Sequence, residues 1–153
     1  MAYQNILVPV DSSEESYSAI QHAINLAKAF HSKITIVQVL TLDPYIAHEY
    51  LNSGESNPLI ERARTFIQAN LQTVHDRFAS EAGVDINIKL LEGENVSHTL
   101  AAAIEESQID LVVISSHGRS GLKKLILGSI TQNLISELNV PIFVIKPELI
   151  DLI

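Results

Sequence analysis

The sequence contains no cysteine, so the chain has neither a disulfide framework nor a thiolate site. It also lacks any apolar run that approaches the ~18 residues of a membrane-spanning helix. The opening residues, MAYQNILVPVD, carry no basic stretch and no small-residue cleavage site, and they lead directly into a strand-like run. We therefore expect a soluble protein without a membrane anchor or a signal peptide, located in the cytoplasm.

Basic residues are scarce: 10 Lys and Arg stand against 18 Asp and Glu, for a formal net charge of −8. Such a chain repels nucleic-acid backbones at long range, which argues against a nucleic-acid partner. Three of the ten cations, Arg119, Lys123 and Lys124, nevertheless lie together in the stretch SSHGRSGLKKLILGSIT, residues 115–131. A local anion site and a solvated basic loop are both compatible with this charge pattern.

Several catalytic and binding signatures are missing. The sequence has no G-x-x-x-x-G-K-[ST], no G-x-G-x-x-G after a strand and no G-x-S-x-G, which argues against a Walker-type NTPase, a standard NAD enzyme and a serine hydrolase. The six histidines form no H-E-x-x-H and lie on different predicted elements. We therefore predict no metal site and assign no catalytic residue.

Short β-branched runs alternate with helical periodicity along the chain. The five predicted strands are NILVPV (5–10), KITIVQVL (33–40), DINIKLL (85–91), DLVVIS (110–115) and PIFVIK (141–146). The strand runs are almost continuously apolar, as in a sheet that is covered on both faces. We predict a doubly wound, Rossmann-like α/β domain with a five-stranded parallel sheet and helices on both faces.

Four helices are predicted between these strands. Ser12 and Glu15 form a Ser-x-x-Glu capping box ahead of a helix over residues 13–30. Pro58 opens a second, long helix that ends near Gly83, and two shorter helices start near Val96 and Ser129. Three interpretations of the irregular segment 41–57 stay open: a lid, a partner surface, or a disordered or variable loop.

Ligands of doubly wound sheets bind beyond the carboxyl ends of the strands, where the strand order reverses. The candidate segments are therefore residues 9–11, 39–40, 92–95 and 115–118. In the last of these, His117 and Gly118 lead through a glycine loop to Gly128 and the start of a helix, whose free N–H groups suit a phosphate. Three simpler roles stay open: the glycines only shape a turn, Asp11 and Ser129 only cap helices, and His117 only hydrogen-bonds the loop.

The blocks NILVPVDSSEES, LLEGENV and SSHGRSGLKKLILGSITQNLI resemble the universal stress protein family, and with VPIFVIK the resemblance covers nearly the whole chain. The nucleotide-binding branch of that family carries G-x2-G-x9-G-[ST] in this loop. Gly118, Gly128 and Ser129 match its second half, while Ser115 stands at the first glycine. If that position needs a positive φ or a close phosphate approach, the Cβ of serine costs about 1 kcal/mol or blocks the ligand.

The resemblance implies one domain over residues 1–153 that binds ATP or ADP, with or without Mg²⁺. At the adenosine end it implies Pro9, Val10, Asp11 and Val39. At the phosphates it implies Ser115, Gly118, Gly128, Ser129 and Ile130, and His117 adjoins them. It also implies a homodimer through the last strand, which begins at Pro141 and ends at Lys146.

The function that the resemblance implies is that of a cytoplasmic stress-response protein acting as a dimeric regulatory or signalling module. Two alternatives stay open. One is a dimeric interaction protein of the same fold that binds no nucleotide, with Ser115 as the sign of a decayed motif. The other is a slow ATPase or an autophosphorylating enzyme, for which Asp11 is the only evident base near the predicted site.

Overall fold

In the computed structural model, residues 3–42, 57–80, 83–116 and 129–146 are described. Strands and helices alternate along these residues. The strands are β1 (Asn5–Pro9), β2 (Lys33–Thr41), β3 (Asp85–Gly93), β4 (Leu111–Ser115) and β5 (Ile142–Ile145). The helices are α1 (Glu14–Phe30), α2 (Pro58–Phe78), α3 (Val96–Glu106) and α4 (Ser129–Glu137). The predicted alternation of the nine elements is confirmed.

The five strands form one parallel sheet in the order β3-β2-β1-β4-β5. The central strand β1 pairs on one side with β2, where Ile6 lies opposite Ile34, and on the other side with β4, where Ile6 lies opposite Leu111. The chain therefore builds the sheet outward from β1 in both directions. This confirms the predicted doubly wound fold and places the reversal of strand order between β1 and β4.

Alternate side chains of the strands face the two sides of the sheet. Ile6 and Val8 of β1 are fully buried with α1 and α2 on one face, whereas Leu7 is buried with α3 and α4 on the other. Because both faces are covered, the central strands contain few polar residues, as the sequence indicated. Within the described ranges, no helix combines the length and the apolar character needed to cross a bilayer.

The start of α1 differs from the prediction by one residue. Ser13, not Ser12, is the N-cap: its backbone is extended and its hydroxyl accepts a hydrogen bond from the Ser16 N–H, 3.1 Å away. Ser12 instead adopts the left-handed region, with φ 71°. A residue with a positive φ does not present its side chain to the first turn as an extended N-cap does, which leaves that role to Ser13.

The second helix also ends earlier than predicted. Pro58 lies in its first turn, as expected, and the Asn57 side chain caps it by accepting from the Leu59 N–H at 2.9 Å. The helix stops at Phe78, with Ala79 as its C-cap, and does not extend to Gly83. Gly83 has φ +83° and lies just before β3, so its conformational freedom serves the entry to the strand and not the helix end.

Candidate functional site

An open cleft lies at the carboxyl ends of the central strands. Its described walls come from β1 and the turn after it, from β2 and β4, and from parts of α1, α2, α3 and α4. It has a volume of about 580 Å³, within the range of sites for small molecules. The cleft includes both Pro9 at the end of β1 and Ser115 at the end of β4, which is the position where the strand order reverses. The fold therefore places the cleft where doubly wound sheets bind ligands.

Seven of the ten residues predicted for the site line this cleft. They are Pro9, Val10, Asp11, Val39, Ser115, Ser129 and Ile130. The other three, His117, Gly118 and Gly128, lie outside the described residues, as do the cations Arg119, Lys123 and Lys124. Residues that are up to 121 positions apart in the sequence, from Pro9 to Ile130, thus border one space.

Asp11 organises the turn between β1 and α1. Its backbone N–H donates to the Ser16 hydroxyl at 3.2 Å, and its carboxylate oxygen Oδ1 accepts from the Ser13 N–H at 3.0 Å and from the Ser13 hydroxyl. A carboxylate that accepts from the backbone two residues later is an Asx turn. Asp11 therefore has the structural role left open by the sequence, and it also forms part of the cleft wall.

A second polar network lies behind that turn and involves Ser12. The Ser12 hydroxyl donates to Oε1 of Gln38 at 3.0 Å and accepts from Nδ2 of Asn70 at 3.3 Å. The Tyr17 hydroxyl lies close to this network, and its pKa is raised by burial. Side chains from the β1–α1 turn, β2 and α2 therefore meet at the Ser12 hydroxyl.

Ser115 ends β4 with an ordinary strand backbone and is almost fully buried. The φ of Ser115 is not positive, so the Cβ of serine causes no backbone strain at this position. The Ser115 carbonyl accepts a hydrogen bond from the Thr131 hydroxyl in the first turn of α4, at 3.3 Å. Next to it, the Ser116 N–H donates to the Ile145 carbonyl at 2.8 Å, which extends the pairing of β4 with β5.

Apolar side chains dominate the rest of the cleft. Val39, Leu100 and Ile114 contribute from the sheet and from α3, and Phe66 and Ile130 flank the opening from α2 and α4. Phe66 is 58% exposed and Ile130 is 40% exposed, so both keep apolar surface in contact with water. Such walls suit a flat, weakly hydrated ring system.

One predicted segment, residues 92–95, contacts α2 and α3 and is not among the described residues that line the cleft. Glu92 accepts a forked pair of hydrogen bonds from Arg64 of α2, with Nη2 and Oε2 3.1 Å apart. Asn95 is the N-cap of α3 and accepts from the His98 N–H at 3.1 Å. The prediction that this segment contributes to the site is therefore corrected: its polar groups hold α2 and α3 in place.

The sequence reasoning missed several residues that line the cleft, above all Gln38, Phe66 and Thr131. The sequence contains a signal for Gln38, since it is the only polar residue between Thr35 and Thr41 of β2. Phe66 gave no comparable signal, because an aromatic residue in an amphipathic helix normally indicates the core. No three His, Asp or Glu side chains cluster for a metal ion in the part of the chain that the structure describes.

Comparisons with known proteins agree with one another. The model of the universal stress protein family matches residues 2–146. Universal stress protein MJ0531 of Methanocaldococcus jannaschii is 31% identical over 144 residues, which make up 94% of this chain and 82% of that protein.

Two solved structures share the fold along almost all of their length. Hypothetical protein MJ0577 superposes with a TM-score of 0.80 at 20% identity, over 97% of this chain and 99% of that one. A universal stress protein solved in complex with cAMP superposes with a TM-score of 0.69 at 22% identity, over 97% of this chain and all of that one. At these identities the likeness establishes the fold.

Proposed function

The chain belongs to the universal stress protein family, and from that premise we propose that it binds an adenine nucleotide, ATP or ADP with or without Mg²⁺, in the cleft. The observation that carries the proposal is the position of the cleft at the reversal of strand order, lined by seven of the residues predicted for nucleotide binding. The cAMP complex of a protein with the same fold supports an adenine ligand. The proposed role is that of a cytoplasmic stress-response module that signals through its nucleotide and its dimer state.

The chemistry of the described walls fits the two ends of such a ligand. Val39, Leu100 and Phe66 offer apolar surface for the adenine ring. The first turn of α4, with Ser129 and Ile130 in the cleft wall, directs N–H groups toward the phosphates. The Ser115 hydroxyl, at the altered motif position, would donate to a phosphate oxygen.

The first experiment measures nucleotide released by denaturing the freshly purified protein, by absorbance and mass spectrometry. Thermal shift with ATP, ADP, AMP and cAMP then ranks the ligands. We expect bound adenine nucleotide, or a rise in the midpoint with at least one of these ligands. If the protein releases no nucleotide and no ligand shifts its midpoint, the nucleotide proposal is wrong and the nucleotide-free interaction protein replaces it.

A matched pair of variants tests whether the ligand occupies the cleft. Ser129→Glu places a negative charge at the start of α4, where the helix dipole favours it but where it repels a phosphate. Asn133→Glu adds the same charge to an exposed residue of the same helix that does not line the cleft. We expect Ser129→Glu to weaken nucleotide affinity by at least about tenfold and Asn133→Glu to weaken it by less than about twofold. Equal effects would place the ligand elsewhere.

We further propose that the protein forms a homodimer through β5. This strand lies at the end of the sheet order, and among the described strands it pairs only with β4. Phe143 at its centre is 45% exposed, a large apolar side chain on an edge strand that a second copy would cover. Sedimentation of the wild type and of Phe143→Lys tests this: the wild type should be dimeric and the variant shifted toward monomer. A monomeric wild type would contradict the proposal.

A further inference from the structure

Gln38 is a buried polar residue in the wall of the cleft. It is 7% exposed, and its side chain lies on the face of β2 that α1 and α2 cover. Its Oε1 accepts from Ser12, whereas its Nε2 has no hydrogen-bond partner among the described residues. Gln38 borders the cleft. Its amide N–H groups are the polar groups that it can offer to a ligand there, because Oε1 already accepts from Ser12.

The network behind Gln38 determines which end of its amide faces the cleft. A serine hydroxyl has one proton to donate and two lone pairs that accept. Asn70 donates to the Ser12 oxygen, which accepts there through a lone pair. The Ser12 proton is donated to Oε1 of Gln38, 3.0 Å away. Gln38 therefore presents a donor, not an acceptor, to a ligand.

The sheet geometry places this donor at the nucleoside end of the cleft. Adjacent strands are about 4.8 Å apart, and β2 is separated from β4 by β1, so Gln38 lies about 10 Å from the strand that leads to the phosphate end. Helix α2 packs over β2 and adds Ala63, Phe66 and Ile67 to the same part of the wall. These apolar neighbours suit the flat base better than the hydrated ribose.

We propose that Gln38 is a specificity-determining residue of the cleft: its amide donates a hydrogen bond to an acceptor ring nitrogen of the bound purine. Ser12 acts as a positioning residue, because its hydroxyl holds Oε1 and so keeps the donor directed at the base. The inference rests on the proposed nucleotide function and adds to it the atom type that the protein recognises. Adenine offers three such acceptors, N1, N3 and N7.

Deaza analogues test the inference without any mutation, since each replaces one ring nitrogen by a C–H group of nearly the same shape. The measurement is the affinity of the wild-type protein for ATP and for its 1-deaza, 3-deaza and 7-deaza analogues, by calorimetry. We expect one analogue to bind about tenfold more weakly than ATP, the effect of one neutral hydrogen bond left unmade in a buried site.

Three variants assign that difference to a residue. Gln38→Glu keeps the acceptor for Ser12 and replaces the donor by an oxygen, so the tenfold ratio between ATP and the sensitive analogue should fall to about one. Ser12→Ala keeps the Gln38 donor but removes the hydroxyl that holds Oε1, so the amide can rotate. The ratio between ATP and the sensitive analogue should then fall to about threefold. Gln21→Glu makes the same chemical change on the exposed face of α1 and should keep the ratio at about tenfold.

The outcomes separate this inference from the function on which it rests. If the wild type binds none of the four nucleotides, both the proposed function and the inference are wrong. If it binds all four equally, or if Gln38→Glu keeps the tenfold ratio, the inference alone is overturned. Circular dichroism and thermal midpoints check that each variant is folded. Should Gln38→Glu not fold, the analogue series and Ser12→Ala decide between the outcomes.

Discussion

The Thr131 hydroxyl donates a hydrogen bond to the Ser115 carbonyl oxygen across a buried distance of 3.3 Å. Sixteen positions separate the two residues in the sequence, and the glycine loop lies between them. The contact fixes the start of α4 against the end of β4. Both residues line the cleft, so this hydrogen bond helps to set the separation of two of its walls.

Replacing Thr131 by valine removes this hydroxyl with little change of shape. Because a buried carbonyl loses the hydrogen bond from Thr131, we expect the free energy of unfolding to fall by about 1 to 2 kcal/mol. Urea unfolding measures it. Thr65→Val is the matched control, since the Thr65 hydroxyl also donates to a carbonyl, Glu61 at 2.9 Å, but on an exposed helix face. The control should change stability by no more than about 0.5 kcal/mol, and equal losses would contradict the role given to Thr131.

Ser12 combines a left-handed backbone with a shared hydroxyl, and two substitutions separate these features. Ser12→Gly and Ser12→Ala both remove the hydrogen bonds to Gln38 and Asn70. Only alanine keeps a Cβ that opposes a positive φ. We therefore expect both variants to be less stable than the wild type, with the alanine variant about 1 kcal/mol below the glycine variant in urea unfolding. Equal stability of the two variants would mean that the backbone at Ser12 relaxes.

Burial raises the pKa of the Tyr17 hydroxyl above its ordinary value of 10.0. The folded protein therefore holds this proton to a higher pH than the unfolded chain does. The tyrosine of the unfolded chain ionises near pH 10, and below about that pH the contribution of Tyr17 to stability is complete. This contribution is lost as the pH rises through the pKa of Tyr17 in the folded protein.

Tyr17→Phe removes this titration. Comparing urea unfolding of the wild type and the variant from about pH 9 to about pH 11 isolates Tyr17 from the other groups that ionise there. We expect the wild type to lose more stability than the variant above about pH 10. If the free energies of unfolding of the two proteins change in parallel with pH, then Tyr17 has the same pKa in the folded and the unfolded state.

Gly93 and Gly83 need glycine for different reasons. A Cβ at Gly93 would lie 2.0 Å from Oγ1 of Thr99, whereas a Cβ at Gly83 meets no atom within 4 Å but has to adopt φ +83°. We expect Gly93→Ala to cost about 1 to 3 kcal/mol of unfolding free energy. Gly83→Ala should cost about 1 kcal/mol.

Thr99→Ala distinguishes the two mechanisms. Combined with Gly93→Ala, it removes the obstructing hydroxyl, so the double variant should be more stable than the sum of the two single changes predicts. Combined with Gly83→Ala, it should be additive, because no contact joins the two positions. If the effects of Gly93→Ala and Thr99→Ala are also additive, the end of β3 shifts to accept the methyl group.

Much of this molecule follows from short-range patterns in the sequence. The β-branched runs and the helical stripes predict all nine elements of the described chain, because periods of two and of about 3.6 residues match the faces that strands and helices bury. The alternation of strands with helices then limits the sheet to parallel pairing, and the ends of the strands indicate where ligands bind. On this basis the sequence predicts that Pro9, Asp11, Val39 and Ser115 lie near one another.

Other features depend on contacts between distant parts of the chain. Ser12 and Ser13 are both acceptable caps by residue type, and the choice between them follows from the partners of Ser12, one of which is Asn70, 58 positions away. Likewise, no local pattern indicates that Gln38 directs a donor into the cleft, because that depends on how Ser12 distributes its hydrogen bonds.

The sequence by itself therefore determined the elements, their order and the edge of the sheet that holds the cleft, since each of these follows from the local alternation of apolar and polar residues. Only the tertiary structure decided the orientation of the side chains within the cleft. The reason is physical: a hydroxyl or an amide can bond in several ways, and packing determines which partners come within about 3 Å.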